Sequence, residues 1–420
     1  MRFARRLVLV FLLAGGLLLT YCQKPASSEP TGLPMPSIEQ GHRHDSSSPE
    51  RRAARLPDSG IWPELNKNIA LFPPQHFDKI KTSIVIDKPR RVLTLLVDGW
   101  PVVAYPLALG FSPTGDKVRQ GDGRTPEGEF YLTRLVDRGL AARFGPRAVY
   151  LSYPNAEDAD RGLRAGLINQ AQHRAIMQAI AAGSAPPGNT ALGGGIRIHG
   201  GGIESDWTRG CVALRDPDML EVYDRVQLRT PVKVLGANDK PPFGDHDDDG
   251  IADAIDVLLG AKKSVINAAQ YDGTYYAISS TGGDVARNVG VCTDVVIRAL
   301  RNAGVDLQAL VQQDRAAHPA SYPRIKKPDP SIDHRRVPNL IVWFRRHWQA
   351  LSTSDFKSYR PGDVVFFDGG FYAGPDHVGV VADRVGASGN LLVIHHLGGT
   401  PCKEALLGQM TVVAAFRWQP

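Results

Sequence analysis

Two segments of this chain have opposite orders of predicted elements, and this contrast constrains the fold more than any other feature. From Ser83 the sequence is rich in strand-forming residues, and two such runs flank Asp98-Gly99, a dipeptide suited to a hairpin turn. After residue 257, helical segments precede three strand-like runs, "DVVFF", "HVGVV" and "LLVIHH". Because 420 residues exceed what one hydrophobic core usually organises, we expect two domains, over residues 80–236 and 257–420.

The N-terminal segment predicts export. Arg2, Arg5 and Arg6 precede an apolar run that is long enough for a signal-peptide core but short for a membrane-spanning helix, so residues 1–22 are interpreted as a signal peptide. The run ends in "LTYC", which resembles the lipobox of bacterial lipoproteins and implies a lipid anchor at Cys22. Ordinary cleavage nearby is the alternative. We therefore expect a protein of the periplasm or cell envelope, held at the membrane if Cys22 is lipidated.

Residues 23–58 are rich in proline, serine, histidine and arginine and have no apolar periodicity, which predicts a flexible tether. The formal net charge is +6, and half of it comes from the three arginines of the signal segment. Such a charge is weak support for a polyanionic partner, and nothing else in the sequence indicates nucleic acid.

Within the first domain, the spacing of apolar residues predicts a helix over residues 157–182. Asp216-Pro217 predicts a second helix, with the aspartate as N-cap and proline at the first helical position. The run "TPVKVL" then closes the domain as a strand.

Three cysteines follow the signal segment, Cys211, Cys292 and Cys402. In an oxidising compartment an odd number leaves at least one thiol free or paired with another chain. Cys402, in "GGTPCKEALL", has no surroundings that suggest reactivity, and we interpret it as structural.

Cys211 lies in "IHGGGIESDWTRGCVAL", after His199 and directly after Gly210. A cysteine nucleophile needs a base that takes its proton and backbone N–H groups that bind the oxyanion. His199 supplies a base, and the glycines leave the backbone open to a substrate. The alternative is a small buried cysteine beside a turn histidine.

These residues and an upstream loop resemble the YkuD family of L,D-transpeptidases. The likeness rests on a "GD..TPEG" loop, a His-Gly pair and a Thr-x-Gly-Cys segment, found here at residues 121–128, 199–200 and 208–211. It implies a mixed, mainly-β domain that needs no cofactor and acts on the peptide stems of peptidoglycan.

By this resemblance, Cys211 attacks the peptide carbonyl beside the L-centre of the third stem residue and forms a thioester. His199 acts as general base and then as acid, and the carbonyl of Gly200 orients its imidazole. The N–H groups of Gly210 and Cys211 are the expected oxyanion donors.

The first domain also departs from the commoner family pattern. Many members carry histidine where this chain has Arg209, and "YPN" with "GCVAL" is similar to the YafK-like branch, which includes hydrolases of peptidoglycan links. The main hypothesis is an L,D-transpeptidase. The alternatives are an L,D-hydrolase or amidase that releases wall-linked peptide or protein, and a wall-binding scaffold with inactive sites.

The second domain carries another candidate nucleophile. "GVCTDVVIRALRNAG" places Cys292 at a helix start, where unpaired N–H groups and the helix dipole lower a thiol pKa. The order of elements resembles NlpC-type cell-wall peptidases and, over "GVCTDVVIRAL" and "IDHRRVPNL", a YijF-like family of unknown function. These likenesses imply an α+β papain-like domain.

In such a domain His377 would be the base for Cys292, and His395 or His396 would orient it. Adjacent strand residues face opposite sides of a sheet, so only one of these two can do so, and the family pattern selects His395. His334 is a rival base. The alternative is a structural cysteine in a domain used for binding.

The segment "DHDDDGIADAID", residues 245–256, has the ligand spacing of an EF-hand calcium loop. Glycine at the sixth position permits the sharp turn, and Asp256 replaces the usual glutamate at the twelfth. The expected ligands are Asp245, Asp247, Asp249, Asp253, Asp256 and the carbonyl oxygen of Ile251. We expect calcium to stiffen the joint between the two domains, with an acidic linker turn as the alternative.

Overall fold

The computed structural model describes residues 79–419. The predicted signal peptide, the lipobox at Cys22 and the tether over residues 23–58 lie outside the described residues. Among residues 79–419, no helix has both the length and the apolar character needed to cross a membrane.

The first domain is a mixed sheet with helices beside it. Its strands are β1 (Thr82–Asp87), β2 (Val92–Val97), β3 (Trp100–Pro106), β4 (Gly128–Val136), β5 (Ala148–Leu151), β6 (Arg197–His199), β7 (Val212–Ala213) and β8 (Pro231–Leu235). Its helices are α1 (Ala156–Arg164), α2 (Gln170–Ala181) and α3 (Asp216–Arg225). The strand order is β3-β2-β1-β8-β4-β5-β6-β7. The pairs β1–β8 and β6–β7 are parallel, and the other pairs are antiparallel.

The hairpin predicted at Asp98-Gly99 is confirmed, because these two residues join β2 to β3. Their φ angles are 54° and 74°, the left-handed conformation that a tight two-residue hairpin turn requires. The closing strand "TPVKVL" is confirmed as β8, which lies in the middle of the sheet.

The helical structure predicted over residues 157–182 is confirmed with one break, since the chain forms two helices there, α1 and α2. Gly166, with φ 69°, turns the chain after α1. Asn169 then starts α2, where its side chain accepts the N–H of Gln172 at 2.9 Å. Apolar spacing alone could not show this break, because both helices bury residues against one small core.

The predicted helix at Asp216-Pro217 is confirmed as α3, but the N-cap assignment is wrong. Arg215 occupies the N-cap position, and Asp216 is the first helical residue. The Oδ1 atom of Asp216 accepts the N–H of Gly201 at 2.8 Å, so this carboxylate holds the glycine loop that follows β6.

The second domain has helices followed by an antiparallel sheet, as the sequence predicted. Its helices are α4 (Asp253–Asn267), α5 (Cys292–Asn302), α6 (Leu307–Ala317) and α7 (Val337–His347). Its strands are β9 (Gln270–Tyr271), β10 (Val289–Gly290), β11 (Gln349–Ala350), β12 (Val364–Asp368), β13 (His377–Val385), β14 (Leu391–His395), β15 (Cys402–Glu404) and β16 (Thr411–Arg417). The main sheet has the order β11-β16-β12-β13-β14-β15, and β9 pairs with β10. Whether this α+β unit is papain-like stays a prediction.

Helix α4 connects the two domains by packing into both of their cores. Ile255 belongs to the apolar core of the first domain, whereas Leu258 belongs to that of the second. Beside this helix, the guanidinium groups of Arg360 and Arg417 lie 5.0 and 5.4 Å from the ring centroid of Trp100 in β3. Apolar and cation–π contacts therefore join the two domains.

Candidate active site

Strands β6 and β7 place His199 and Cys211 on neighbouring strands at one edge of the first sheet. The two strands pair in parallel, with Ile198 opposite Val212 and His199 opposite Ala213. Cys211 directly precedes β7, so the same register places it beside Arg197. The Cys211 thiol is free and partly exposed.

His199 is fully buried and held in one orientation by the backbone. Its Nδ1 atom lies 2.5 Å from the carbonyl oxygen of Gly200. Because a carbonyl oxygen only accepts hydrogen bonds, Nδ1 carries the proton and Nε2 carries the lone pair. The Nε2 atom is buried without a hydrogen-bond partner, so a basic nitrogen is available at this position.

Aromatic and cationic side chains surround the imidazole. Phe144 and Trp207 contact His199 edge-on, with ring centroids 5.0 and 5.5 Å away. Burial lowers the pKa of His199 to about 4 despite the bond to the Gly200 carbonyl, and the charges of Arg197 and Arg143 lower it further. The imidazole is therefore neutral near pH 7.

Burial raises the pKa of the Cys211 thiol above its ordinary value. Hydrogen bonds from Arg197 and the charges of Arg197 and Lys117 oppose this shift only in part. The resting pair is therefore a neutral thiol and a neutral imidazole, and the thiol has to lose its proton during the attack on a substrate.

The loop "GDGRTPEG" positions the backbone of the nucleophile through hydrogen bonds. The buried Thr125 hydroxyl donates to the carbonyl oxygen of Cys211 at 3.3 Å and accepts the N–H of Gly110 at 3.1 Å. The Thr208 hydroxyl donates to the same Cys211 oxygen at 2.7 Å. The two threonines fix the backbone at Cys211.

Two buried lysines hold the loop in shape. Lys117 Nζ lies 2.7 Å from Asp122, and Lys88 Nζ lies 2.8 Å from Glu127 and 2.7 Å from the Thr125 carbonyl oxygen. Burial alone would raise the pKa of Asp122, but hydrogen bonds from Lys117 and from three backbone N–H groups lower it to about 2. The loop therefore keeps an ionised carboxylate.

The expected role of the Gly210 N–H as an oxyanion donor does not fit the structure. This N–H donates to the Thr208 hydroxyl oxygen at 3.1 Å and is therefore already engaged. The role of the Cys211 N–H stays a prediction. Gly210 has φ 119°, and a Cβ there would lie 2.5 Å from the Arg124 carbonyl oxygen, so the turn into Cys211 requires glycine.

Sequence reasoning missed four residues of this site, Phe144, Lys117, Arg197 and Trp207. Arg197 alone had a signal in the sequence, because residues two apart on a strand share a face and Arg197 precedes His199 by two. The other three come from loops, and only the fold brings them to the imidazole or the thiol.

The second candidate nucleophile, Cys292, begins α5 and is buried. Burial raises its pKa to about 12, although the Val378 N–H donates to the sulfur and opposes this shift. The lowered thiol pKa predicted from the helix start is therefore wrong, because loss of solvent outweighs the helix N-terminus.

The histidines predicted to act with Cys292 lie on neighbouring strands. His377, next to Val378 in β13, has its Nε2 atom 3.1 Å from His395 Nδ1, and His395 Nε2 lies 3.3 Å from a carboxylate oxygen of Glu404. No sequence pattern indicated Glu404.

Two other histidines near this site have different surroundings. His396 Nε2 lies 3.1 Å from the Gly399 carbonyl oxygen, so this ring bonds the backbone and not His377. His334 is buried, with Nδ1 unpartnered, and burial lowers its pKa to about 4.

The structure brings part of the predicted calcium loop together. Carboxylate oxygens of Asp245, Asp247 and Asp249 lie within 4.8 Å of one another. The predicted ligand Asp253 is not part of this group, and its Oδ1 atom accepts the His246 N–H at 2.9 Å.

Two protein families match this chain, one over each of its two domains. Residues 81–234 match the L,D-transpeptidase catalytic domain family, YkuD, and residues 258–418 match a domain family of unknown function, DUF1287. The uncharacterized protein YijF of Escherichia coli is 43% identical over 165 residues, which cover 38% of this chain and 78% of that protein.

Solved structures with local similarity include three bacterial proteins. Bd1075 of Bdellovibrio bacteriovorus is 20% identical over 40% of this chain and 51% of its own, with a TM-score of 0.26. The helical cell shape determining protein Pgp2 of Campylobacter jejuni is 13% identical over 75% of this chain and 91% of its own, with a TM-score of 0.27. An L,D-transpeptidase of Xylanimonas cellulosilytica is 16% identical over 37% of this chain and 60% of its own, with a TM-score of 0.23.

The chain spans about half the length of the first of these structures. The first domain matches a catalytic family, whereas the relative of the second domain is uncharacterised. Residues 81–234 thus form an L,D-transpeptidase-like catalytic domain, and through its second domain the chain belongs to the family of YijF.

Proposed function

We propose that the first domain is an L,D-transpeptidase that acts on peptidoglycan stems through a Cys211 thioester. The observation that carries this proposal is the state of His199, which is neutral, oriented by the Gly200 carbonyl and left with an unpartnered Nε2 on the strand beside Cys211. A buried histidine that served only packing would satisfy both ring nitrogens or stay partly solvated.

In the first half-reaction, the Cys211 sulfur attacks the carbonyl carbon beside the L-centre of the third stem residue while His199 Nε2 takes the thiol proton. The S–C bond forms, the amide C–N bond breaks, and the imidazolium returns its proton to the departing amine. The product is a thioester on Cys211 and a released D-amino acid or peptide.

In the second half-reaction, an acceptor amine attacks the thioester carbon. His199 takes a proton from the amine, a new amide forms, and the thiol of Cys211 is regenerated. If water is the acceptor, the same steps give hydrolysis, which is the YafK-like alternative. Arg209 is exposed beside Cys211 and so is in a position to affect the choice of acceptor.

Arg197 supports the chemistry electrostatically. Its guanidinium lies 4.2 Å from the centroid of the Phe144 ring, and its positive charge lowers the pKa of the Cys211 thiol. A fixed positive charge there stabilises the thiolate that develops as the proton moves to His199. The same charge keeps the imidazole neutral until it takes that proton.

We extend the proposal to the cell envelope, where the substrate lies. The apolar run over residues 7–20 and the "LTYC" sequence support export and a lipid anchor at Cys22. Replacement of Cys22 by serine should then move the protein from the membrane fraction to the soluble periplasmic fraction.

A second, separate acyl-enzyme site at Cys292 is favoured by one arrangement. Cys292 and Val378 belong to the same apolar core, and His377, adjacent to Val378, begins a hydrogen-bonded series through His395 to Glu404. A nucleophile, a base and an orienting group in this order are what an NlpC-type peptidase needs. A wall-binding scaffold would not need this series of hydrogen-bonded side chains beside the cysteine.

The test is digestion of muropeptides that carry tetrapeptide stems, with and without a D-amino acid as acceptor, analysed by mass spectrometry. Wild type should exchange the fourth residue, Cys211→Ala should not, and Cys292→Ala should exchange it at the wild-type rate. Hydrolysed stems with no exchange would favour the hydrolase. Identical products from wild type and Cys211→Ala would contradict the proposal for the first domain.

A further inference from the structure

In the acidic loop between the domains, one oxygen of a buried carboxylate has no hydrogen-bond partner. Asp256, in the first turns of α4, is 3% exposed. Its Oδ1 atom accepts from the Asn302 side chain at 3.2 Å, whereas Oδ2 is buried without a partner. Leaving a carboxylate oxygen buried and unpaired is costly in a folded protein.

Asp256 is the last acidic residue of the loop over residues 245–256. Asp247 and Asp249 lie earlier in the same loop. These two residues and Asp245 already have oxygens within 4.8 Å of one another. Three carboxylates of the loop therefore converge, and the more deeply buried Asp256 of the same loop has no protein partner for Oδ2.

We propose that residues 245–256 bind one calcium ion and that this ion fastens the two domains together. The ligands are carboxylate oxygens of Asp245, Asp247, Asp249 and Asp256, with the carbonyl oxygen of Ile251 at the seventh position of the loop. An all-oxygen ligand set of this number, supplied by a loop with glycine at its sixth position, suits calcium. The ion would neutralise the mutual repulsion of the carboxylates and give Asp256 Oδ2 its missing partner.

Contacts of the loop explain why binding would affect the domain joint. On one side, Arg90 of the first domain bonds the side chain of Asp248 and donates to its carbonyl oxygen at 3.0 Å. On the other side, Asp247 packs on Gly304, where a Cβ would lie 2.7 Å from the Asp247 Cβ. Asn302, at the end of α5, also donates to the Asp256 carbonyl oxygen at 3.0 Å. The loop thus lies between a turn of the first domain and a helix end of the second.

The test uses the exported chain, stripped with chelator and titrated with calcium chloride by calorimetry and by thermal unfolding. Wild type should bind one ion, with a Kd on the order of 0.1–1 mM as in many extracellular calcium modules, and its Tm should rise with calcium. Asp256→Asn should lose both responses. In chelator its Tm should equal or exceed that of wild type, because the amide has nearly the size of the carboxyl group and adds no charge to the acidic loop. Asp224→Asn, on an exposed position of α3, is the control and should respond as wild type does.

A second variant protects the test against misfolding of Asp256→Asn. Asp247→Asn changes an exposed side chain and should fold as wild type does, while weakening calcium binding at least tenfold. Hydrogen exchange in residues 88–92 and 302–306 should slow when calcium binds to wild type. The proposal is overturned if calcium leaves the Tm of wild type unchanged, if both loop variants bind calcium as wild type does, or if magnesium gives the same response at equal concentration.

Discussion

The Thr125 hydroxyl donates to the carbonyl oxygen of Cys211 at 3.3 Å and so joins two sequence motifs that lie 86 residues apart. The same hydroxyl oxygen of the buried Thr125 accepts the Gly110 N–H. Thr125 therefore stabilises the fold and also positions the nucleophile. The "TPEG" loop thus determines where the Cys211 backbone lies.

Replacement of Thr125 by valine keeps the shape of the side chain but removes both hydrogen bonds. We expect a loss of about 1–3 kcal/mol in the free energy of unfolding, because the Gly110 N–H is left buried and unpaired. A shifted Cys211 should also lower kcat about tenfold, as expected for loss of about 1.4 kcal/mol of transition-state stabilisation. Chemical denaturation and initial rates measure the two effects.

Thr133→Val is the matched control, since the Thr133 hydroxyl in β4 also donates to a backbone oxygen, that of Tyr150, at 3.3 Å. This variant should keep the wild-type kcat. An equal loss of kcat in both threonine variants would mean that the Thr125–Cys211 bond has no particular role.

The acidic limb of the pH–rate profile should lie well below the ordinary pKa of histidine. His199 must be neutral to accept the thiol proton, and burial lowers its pKa to about 4. We therefore expect kcat/KM to stay constant as the pH falls through 6.5 and to decrease only as it approaches 4, where the imidazole becomes protonated. A midpoint near 6.5 would show that His199 is solvated in the free enzyme.

Replacement of Arg197 by glutamine should move the acidic limb of the pH–rate profile to higher pH. Loss of the positive charge raises the pKa of His199 and further raises that of the Cys211 thiol, since the arginine lowers both. The variant should thus have a lower kcat/KM at pH 7 and an acidic limb shifted upward. Arg138→Gln, at an exposed arginine, should leave the profile unchanged.

Much of the fold and part of the site could be predicted from local sequence patterns. The Asp98-Gly99 hairpin and the strands of the second domain depend on residues close in sequence, and the structure has them. The break between α1 and α2 depends on Gly166 and Asn169, whose effects are weaker than the apolar spacing across them. The hydrogen bond from the Thr125 hydroxyl to the Cys211 carbonyl oxygen depends on tertiary geometry that no spacing reveals.

The pKa of the Cys292 thiol is another property that local sequence patterns could not predict. A helix start predicts a lowered pKa for Cys292, although the charge of Asp294, two residues on, opposes this. The pKa is raised because the sheet covers the sulfur, with Val378 directly against it. Burial is a property of the assembled domain, and its effect on a charge exceeds that of one helix terminus.

Gly210→Ala should be far more destructive than another substitution of a glycine with positive φ. At Gly210 the new Cβ would lie 2.5 Å from the Arg124 carbonyl oxygen, at φ 119°. Gly166 also has positive φ, 69°, but no atom lies within 4 Å of a Cβ placed there. We expect Gly166→Ala to cost about 1–2 kcal/mol of conformational strain, and Gly210→Ala to cost more and to abolish activity. Equal costs in thermal unfolding would show that the loop at Arg124 can move away.

Alkylation should distinguish the two free cysteines before any substrate is known for the second domain. Cys211 is partly exposed, whereas Cys292 is buried and its pKa is raised to about 12. Relative to an ordinary thiol with a pKa of about 8.5, the thiolate fraction of Cys292 near neutral pH is lower on the order of a thousandfold. Iodoacetamide should therefore label Cys211 first in the native protein, as followed by peptide mass mapping, and should label both at similar rates in urea. Labelling of native Cys292 as fast as Cys211 would mean that the contact with β13 opens readily in solution. The thiol could then ionise, and His377 would be free to act as its base.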